Sequence, residues 1–214
     1  MKRYVGFYWT FPARWAGFVA LSQDAEVAAR QSKTIAYQRA IVTRYVASEK
    51  GEMVGEVVAL ESSPDRGTET IAGEVARARA LCLAKQATLL WVDFANTGWR
   101  PHRHFTNQII SLEEAGVSSV PIPADEIMLN HDLFVPEDHF AMWREGEREF
   151  KERLKTLVPE ALRRALLEVP KGYGQFVKIA ALLNSHGVPT LGGGHNWTAD
   201  NVRKAIENLS LTTL

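Results

Sequence analysis

Residues 34–61, TIAYQRAIVTRYVASEKGEMVGEVVALE, decide the expected fold, because they change from helical to strand periodicity at a single glycine. The first part predicts a helix at about Thr34–Lys50. The part after Gly51 predicts a strand at Met53–Glu61, which is rich in β-branched residues. A helix that leads directly into an apolar strand is typical of proteins in which helices cover a parallel sheet.

The same alternation continues on both sides of this stretch. The other predicted strands are Tyr4–Trp9, Thr88–Asp93 and Val117–Ile122, and the other helices lie at about Thr70–Lys85 and Phe105–Ala115. Because strands and helices alternate, right-handed crossovers are expected. The fold class up to about residue 135 is therefore α/β, with three layers and a mostly parallel sheet.

The composition excludes several classes of protein. The chain has 25 Lys+Arg and 25 Asp+Glu, so a net charge of zero gives no overall attraction to nucleic acids or membranes. Any DNA contact must therefore come from a local basic patch. Cys82 is the only cysteine, which excludes an intrachain disulfide. No uninterrupted apolar segment approaches the roughly 20 residues of a membrane span, so we expect a cytoplasmic protein with no membrane contact.

Beyond residue 135 the sequence becomes helical. Glu137–Val158 predicts one long helix, and Pro159 suits the first turn of a second helix that ends at Glu168. The long helix either lies back on the sheet or pairs with the same helix of another chain, and we expect a homodimer or higher oligomer. Pro170–Gly174 predicts a linker. The expected domains are residues 1–135, 136–169 and 170–214.

The last domain predicts two short helices around a Gly-rich turn. Apolar residues recur at helical spacing in both: Ile179, Leu182 and Leu183 in the first, and Val202, Ile206 and Leu209 in the second. Gly187 and Pro189 end the first helix, and Thr198 is placed to cap the second. This spacing predicts a compact helix-turn-helix-like pair.

The second helix carries side chains that suit contact with DNA. Polar and basic residues lie away from its buried face, and Asn and Arg have the shape for bidentate contacts to base edges. The candidate DNA-binding residues are Thr198, Asn201, Arg203 and Lys204, with Lys171 and Lys178 for phosphates. The alternative is a helical hairpin that only packs on its own domain.

Residues 179–206, IAALLNSHGVPTLGGGHNWTADNVRKAI, resemble the DNA-binding segment of large serine recombinases and resolvase-like proteins. In that family a helix ending in Leu-Asn leads through Gly-Ile/Val-Pro-Thr, a Gly-rich turn and an aromatic residue to a helix of the Val-Arg-x-x-Ile type. The whole layout is also similar: a resolvase-like α/β domain, a long helix that dimerises and crosses DNA, and a small DNA-binding domain. The resemblance implies double-stranded DNA as the partner.

The catalytic residues of that family are replaced in this chain. Serine recombinases attack a phosphodiester with a serine hydroxyl, while arginines neutralise the transition state. In the family's Tyr-x-Arg-Val-Ser pattern, this chain has Trp9 in place of the arginine and Phe11 in place of the serine. In the Asp-Arg-Leu-Ser-Arg motif, Asp93 is retained and Phe94 replaces the arginine. The resemblance therefore implies a family member that lacks the catalytic serine and does not cleave strands.

Two other chemistries stay open. Thr10, Ser22 or Ser32 would provide a displaced nucleophile in an active recombinase or nuclease with a rebuilt site. His102 and His104 have the residue type and spacing of metal ligands. Loop histidines beside Pro and Arg are more typically solvated, so we expect neither a metal nor another cofactor.

Three functions follow from these patterns. The leading hypothesis is a DNA-binding protein derived from a serine recombinase, without strand cleavage, that acts as a regulator or accessory factor at specific DNA sites. The second is the rebuilt enzyme. The third is a protein-interaction module, in which Trp9, Trp15, Trp91 and Trp99 form an apolar face for a partner. The alternative role of these tryptophans is to fill the space that catalytic residues leave.

Overall fold

A computed structural model describes residues 1–61, 69–97, 112–194 and 196–211 of the chain. The contacts among these residues group the chain into two compact units. Unit 1 comprises the described residues of Met1–Ala13 and Phe18–Trp143, and unit 2 those of Arg14–Gly17 and Arg144–Leu214. None of the helices in the described ranges is both long and apolar enough to cross a membrane.

The sheet of unit 1 has four parallel strands in the order β2-β1-β3-β4. The strands are β1 Arg3–Thr10, β2 Glu52–Leu60, β3 Thr88–Asp93 and β4 Ser119–Pro123. In the central strand β1, Phe7 lies opposite Val57 on one side and Trp91 on the other. Every residue of β1 after Arg3 is buried, which is why this strand is a continuous apolar run. The predicted α/β class and parallel sheet are confirmed.

Three helices of unit 1 precede or follow these strands. They are α1 Ala25–Gln31, α2 Lys33–Ser48 and α3 Glu69–Lys85, and the predictions for α2 and α3 are confirmed. Helix α1 was not predicted; Asp24 caps it by accepting a hydrogen bond from the Val27 N–H at 2.9 Å. The helix predicted at Phe105–Ala115 lies mostly outside the described residues, of which residues 112–114 are helical.

A short antiparallel hairpin, also not predicted, follows the sheet. It consists of β5 Ile127–Leu129 and β6 Asp132–Phe134. The two turn residues Asn130 and His131 have φ values of 51° and 75°, the left-handed conformation that a two-residue hairpin turn of type I′ requires. Strands of three residues are too short to give a readable alternation, and histidine is not a usual signal for such a turn.

The long helix α4, Pro136–Glu168, runs without a break through Pro159. The prediction of a second helix beginning at this proline was therefore wrong. A proline inside a helix removes one backbone hydrogen bond, but the apolar stripe of α4 continues across it. Residues of this stripe on both sides of the proline are buried: Leu154, Val158, Leu162 and Ala165. Packing of the stripe stabilises the uninterrupted helix.

Unit 2 has its own core, which α4 shares with two shorter helices. These are α5 Gln175–Ser185 and α6 Ala199–Asn208, called the helix pair below. Val158 and Leu162 of α4 belong to one buried cluster with Ile179 of α5 and Val202 of α6. The C-terminal half of α4 thus packs with the helix pair of its own chain, an arrangement that the sequence did not predict.

Candidate nucleic-acid interface

The turn between α5 and α6 is held by side-chain hydrogen bonds at both of its ends. Asn184 accepts a hydrogen bond from the backbone N–H of Trp197 at 2.8 Å and donates one to the Trp197 carbonyl at 2.9 Å. The indole N–H of the buried Trp197 donates to the Val188 carbonyl at 2.8 Å. These contacts, called the Asn184–Trp197 clamp below, fix the spacing of the helix pair.

The Gly-rich part of this turn closes on itself. The Thr190 N–H donates to the Gly194 carbonyl at 2.7 Å, and the Gly194 N–H donates to the Thr190 hydroxyl at 3.0 Å. Gly193 has a φ of 77°, which favours glycine, and its N–H donates to the Thr190 carbonyl at 2.8 Å. Because both glycine N–H groups bond within the turn, this segment is built as a tight turn and not as a phosphate cradle.

Thr198 caps α6, as the sequence predicted. Its hydroxyl accepts a hydrogen bond from the Asn201 N–H, and the Asn201 carboxamide accepts one from the Thr198 N–H at 2.7 Å. The same carboxamide donates to the Asn196 carbonyl at 3.1 Å. This reciprocal arrangement is a capping box. Thr198 and Asn201, both candidate DNA-binding residues, thus hold the N-terminus of α6 in place.

The two candidate cations of α6 are held by acidic residues of the same helix. Arg203 lies 2.9 Å from Asp200 and 3.0 Å from Glu207, and Lys204 lies 2.7 Å from Asp200. Hydrogen bonds from Lys204 and then Arg203 lower the pKa of Asp200, and those to Asp200 and Glu207 raise the pKa of Arg203. Two acids and two bases balance, so this exposed face carries no net charge.

The two candidate phosphate ligands have a different environment. Lys171 lies in the segment between α4 and α5, and Lys178 lies on α5. Both are exposed, and neither forms an ion pair with another residue of the described ranges. Their charges are therefore not balanced by a carboxylate of the described residues, in contrast to those of Arg203 and Lys204.

At the carboxyl end of the sheet, the residues that the resemblance aligns with the catalytic motifs of serine recombinases form a closed aromatic cluster. Trp9, Phe11 and Phe94 are each 3% exposed or less. The Trp9 ring lies 5.3 Å from that of Phe11 and 6.3 Å from that of Phe94, and Phe94 lies 5.1 Å from Phe140. Asp93, the retained acid, accepts a hydrogen bond from the Ala95 N–H at 2.9 Å and so shapes the backbone after β3. Aromatic rings thus fill this part of the core.

A buried glutamine that the sequence did not single out supports this cluster. Gln38 of α2 is fully buried, accepts a hydrogen bond from the Trp9 N–H at 3.2 Å and donates to the Trp9 carbonyl at 2.7 Å. It also donates to the Thr34 carbonyl at 3.1 Å. The sequence signal for this contact was a glutamine on a mostly apolar face of α2, because a buried side-chain amide needs hydrogen-bond partners.

The hydroxyls considered as displaced nucleophiles have backbone contacts. Thr10 is 4% exposed, and its hydroxyl donates to the Phe11 carbonyl at 3.5 Å. Ser32 caps α2 by accepting from the Ile35 N–H, and Ser22 accepts from the Asp24 N–H at 3.1 Å. In the structure, these contacts cap or join local segments of backbone.

The remaining alternatives concern metal and tryptophan. His102 and His104 lie outside the described residues, within which no group of three potential metal ligands occurs.

Trp9 and Trp91 are buried, which fits the interpretation that they fill space in the core. Trp15 belongs to unit 2, where its ring packs against Gly146 so closely that an added Cβ would lie 3.0 Å from it. Trp99 is not among the described residues.

Comparison of the chain with models of protein families, with curated proteins and with solved structures gives no match. The resemblance to serine recombinases therefore stays a prediction from the sequence.

Proposed function

We propose that this chain is a DNA-binding protein of serine recombinase origin that does not cleave strands. The observation that carries this proposal is the helix pair. Its apolar faces are buried, the Asn184–Trp197 clamp fixes its turn, and α6 presents a capped, polar and exposed face. A rigid helix with an exposed polar face is suited to enter the major groove as the second helix of a helix-turn-helix.

The charges of unit 2 support a division of roles within this interface. Lys171 and Lys178 point their charges at solvent and bind phosphates, which contributes affinity without sequence preference. Arg203 and Lys204 on α6 contact base edges, where hydrogen-bond patterns differ between base pairs. Thr198 and Asn201 set the position of α6, and the helix N-terminus they cap faces the DNA backbone.

The aromatic cluster supports the absence of strand cleavage. A hydroxyl that attacks a phosphodiester needs positive partners to stabilise the transition state, and losing one such donor typically costs about 10²–10³ in rate. Here buried rings of Trp9, Phe11 and Phe94 occupy the corresponding positions. The chain would then act as a regulator or accessory factor at specific DNA sites, and the homodimer or higher oligomer stays a prediction from the sequence.

Duplex binding at two salt concentrations tests the proposal. Fluorescence anisotropy with a labelled duplex should show an affinity that falls steeply as salt rises from about 50 to 200 mM, because bound phosphates release counterions. The variant Lys171→Ala with Lys178→Ala should weaken binding to all sequences. It should also reduce the slope of log K against log salt by about 2, since two phosphate contacts are removed.

A matched control makes this test specific. Arg79→Ala with Lys85→Ala removes two exposed cations from α3 of unit 1 and should leave the slope unchanged. Binding to duplex DNA that is undetectable or insensitive to salt would refute the proposal. Incubation with supercoiled DNA, followed by trapping of covalent adducts, distinguishes this proposal from the alternative of an active recombinase or nuclease. A serine-linked adduct would require an active site and would support that alternative.

A further inference from the structure

The charges of α6 have an arrangement that a general DNA-binding helix would not need. Asp200 and Glu207 lie one turn before and one turn after Arg203, and each accepts a hydrogen bond from a different terminal nitrogen of its guanidinium group. Lys204 is bound to the second oxygen of Asp200 at 2.7 Å. The four side chains form one continuous network on an exposed helix face.

This network has two physical consequences for a helix near DNA. The carboxylates repel phosphates, and they hold the two cations that would otherwise bind any stretch of DNA backbone. They also hold the guanidinium group of Arg203 in one orientation. Because this group has five N–H donors, some of them stay available for a further acceptor. A guanidinium in fixed orientation suits the O6 and N7 atoms of guanine, which accept in a bidentate manner.

We infer that Asp200 and Glu207 are specificity-determining residues, which position Arg203 for a guanine and suppress binding to non-target DNA. The inference rests on the proposed function and deepens it by assigning the recognised base and the source of discrimination. It also explains why Lys171 and Lys178, which lie outside α6, lack such acidic partners. The phosphate-binding residues act on every sequence, whereas Arg203, still bonded to Asp200 and Glu207, acts where its remaining N–H donors meet a guanine.

The test compares a selected duplex with random duplexes of the same length. The wild-type protein first selects its preferred sequence from a randomised library. Anisotropy then gives the affinity of wild-type protein and of Asp200→Asn with Glu207→Gln for the selected and random duplexes. The variant should bind random duplexes about tenfold more tightly at low salt, with a salt slope steeper by about 1–2, because two cations become available to phosphates. The ratio of selected to random affinity should fall.

The recognised base is tested with 7-deazaguanine, which lacks the N7 acceptor. Substituted singly at each guanine of the selected duplex, it should weaken wild-type binding about tenfold at one position. The same substitution should have little effect on Arg203→Ala, which has lost the contact. The capping box of Thr198 and Asn201 stays intact in all of these variants, so α6 is expected to remain folded, as circular dichroism would verify.

The control variant removes the same charge from similar pairs elsewhere. Glu26→Gln and Glu147→Gln together break two i,i+4 pairs, on α1 and α4, and should leave both affinities as in the wild type. If the wild-type protein binds DNA but Asp200→Asn with Glu207→Gln keeps the wild-type ratio and salt slope, the inference is wrong and the proposed function stands. If the wild-type protein binds no duplex, the proposed function itself is refuted.

Discussion

The variant Phe94→Ala should unfold with a free energy about 3–5 kcal/mol lower than that of the wild-type protein, the range for losing a buried aromatic ring. Phe94 is 1% exposed and its ring contacts those of Trp9, Tyr37 and Phe140, so truncation leaves a cavity in the aromatic cluster. Thermal denaturation followed by near-ultraviolet circular dichroism should show a Tm lower by roughly 6–20 °C.

Two further variants decide whether the cluster is closed. Leu133→Ala, at a position 58% exposed in the same unit, should change the free energy of unfolding by less than about 0.5 kcal/mol. Phe94→Arg, which introduces the residue type that the similar motif of serine recombinases carries, should be less stable than Phe94→Ala, because a guanidinium would be buried without a partner. A Phe94→Arg protein as stable as the wild type would mean that water reaches this space, and the structural argument against cleavage would fail.

The variant Leu162→Ala should destabilise unit 2 by about 2–5 kcal/mol. Leu162 is fully buried in α4, in the same cluster as Ile179 of α5 and Val202 of α6. Loss of its side chain weakens the support of the helix pair. Under the proposed function, duplex binding should therefore disappear at a lower temperature than in the wild type. Hydrogen exchange measured by mass spectrometry should show faster exchange in peptides from residues 154–211.

The same helix offers the control for this prediction. Leu167 is 81% exposed, and Leu167→Ala should alter the free energy of unfolding by less than about 0.5 kcal/mol. Equal destabilisation by the two variants would contradict the assignment of Leu162 to the core. Unchanged exchange in residues 154–211 of Leu162→Ala would show that α4 does not support the helix pair.

The strands and main helices could be predicted because their periodicities are long and regular. β1 is a continuous apolar run in the middle of the sheet, and α2 repeats its buried residues over four turns. Elements shorter than two helical turns or four strand residues, such as α1 and the hairpin β5–β6, carry too few residues for a periodic signal. The helix boundary predicted at Pro159 was wrong, because the loss of one backbone hydrogen bond at the proline is outweighed by packing along the apolar stripe of α4.

In the candidate interface, contacts between residues close in the sequence could be predicted from their spacing, whereas contacts between distant residues could not. The cap at Thr198 and the acidic partners of Arg203 three and four residues away follow from helical geometry, although the sequence interpretation used only the first. Gln38 is different, because its partner Trp9 lies 29 residues earlier in the chain. Only a folded structure brings those two residues together.

The Asn184–Trp197 clamp also changes what similarity in this segment means. Asn184 and Trp197 form hydrogen bonds within the turn, and Thr198 and Asn201 form hydrogen bonds with each other. These four residues are therefore explained by the structure of the helix pair. Proteins that share these residues with this chain would therefore share the scaffold of the helix pair, whatever they bind. Under the proposed function, two such proteins would differ in the DNA sequence they recognise because they differ in the exposed residues of α6 between Asp200 and Glu207.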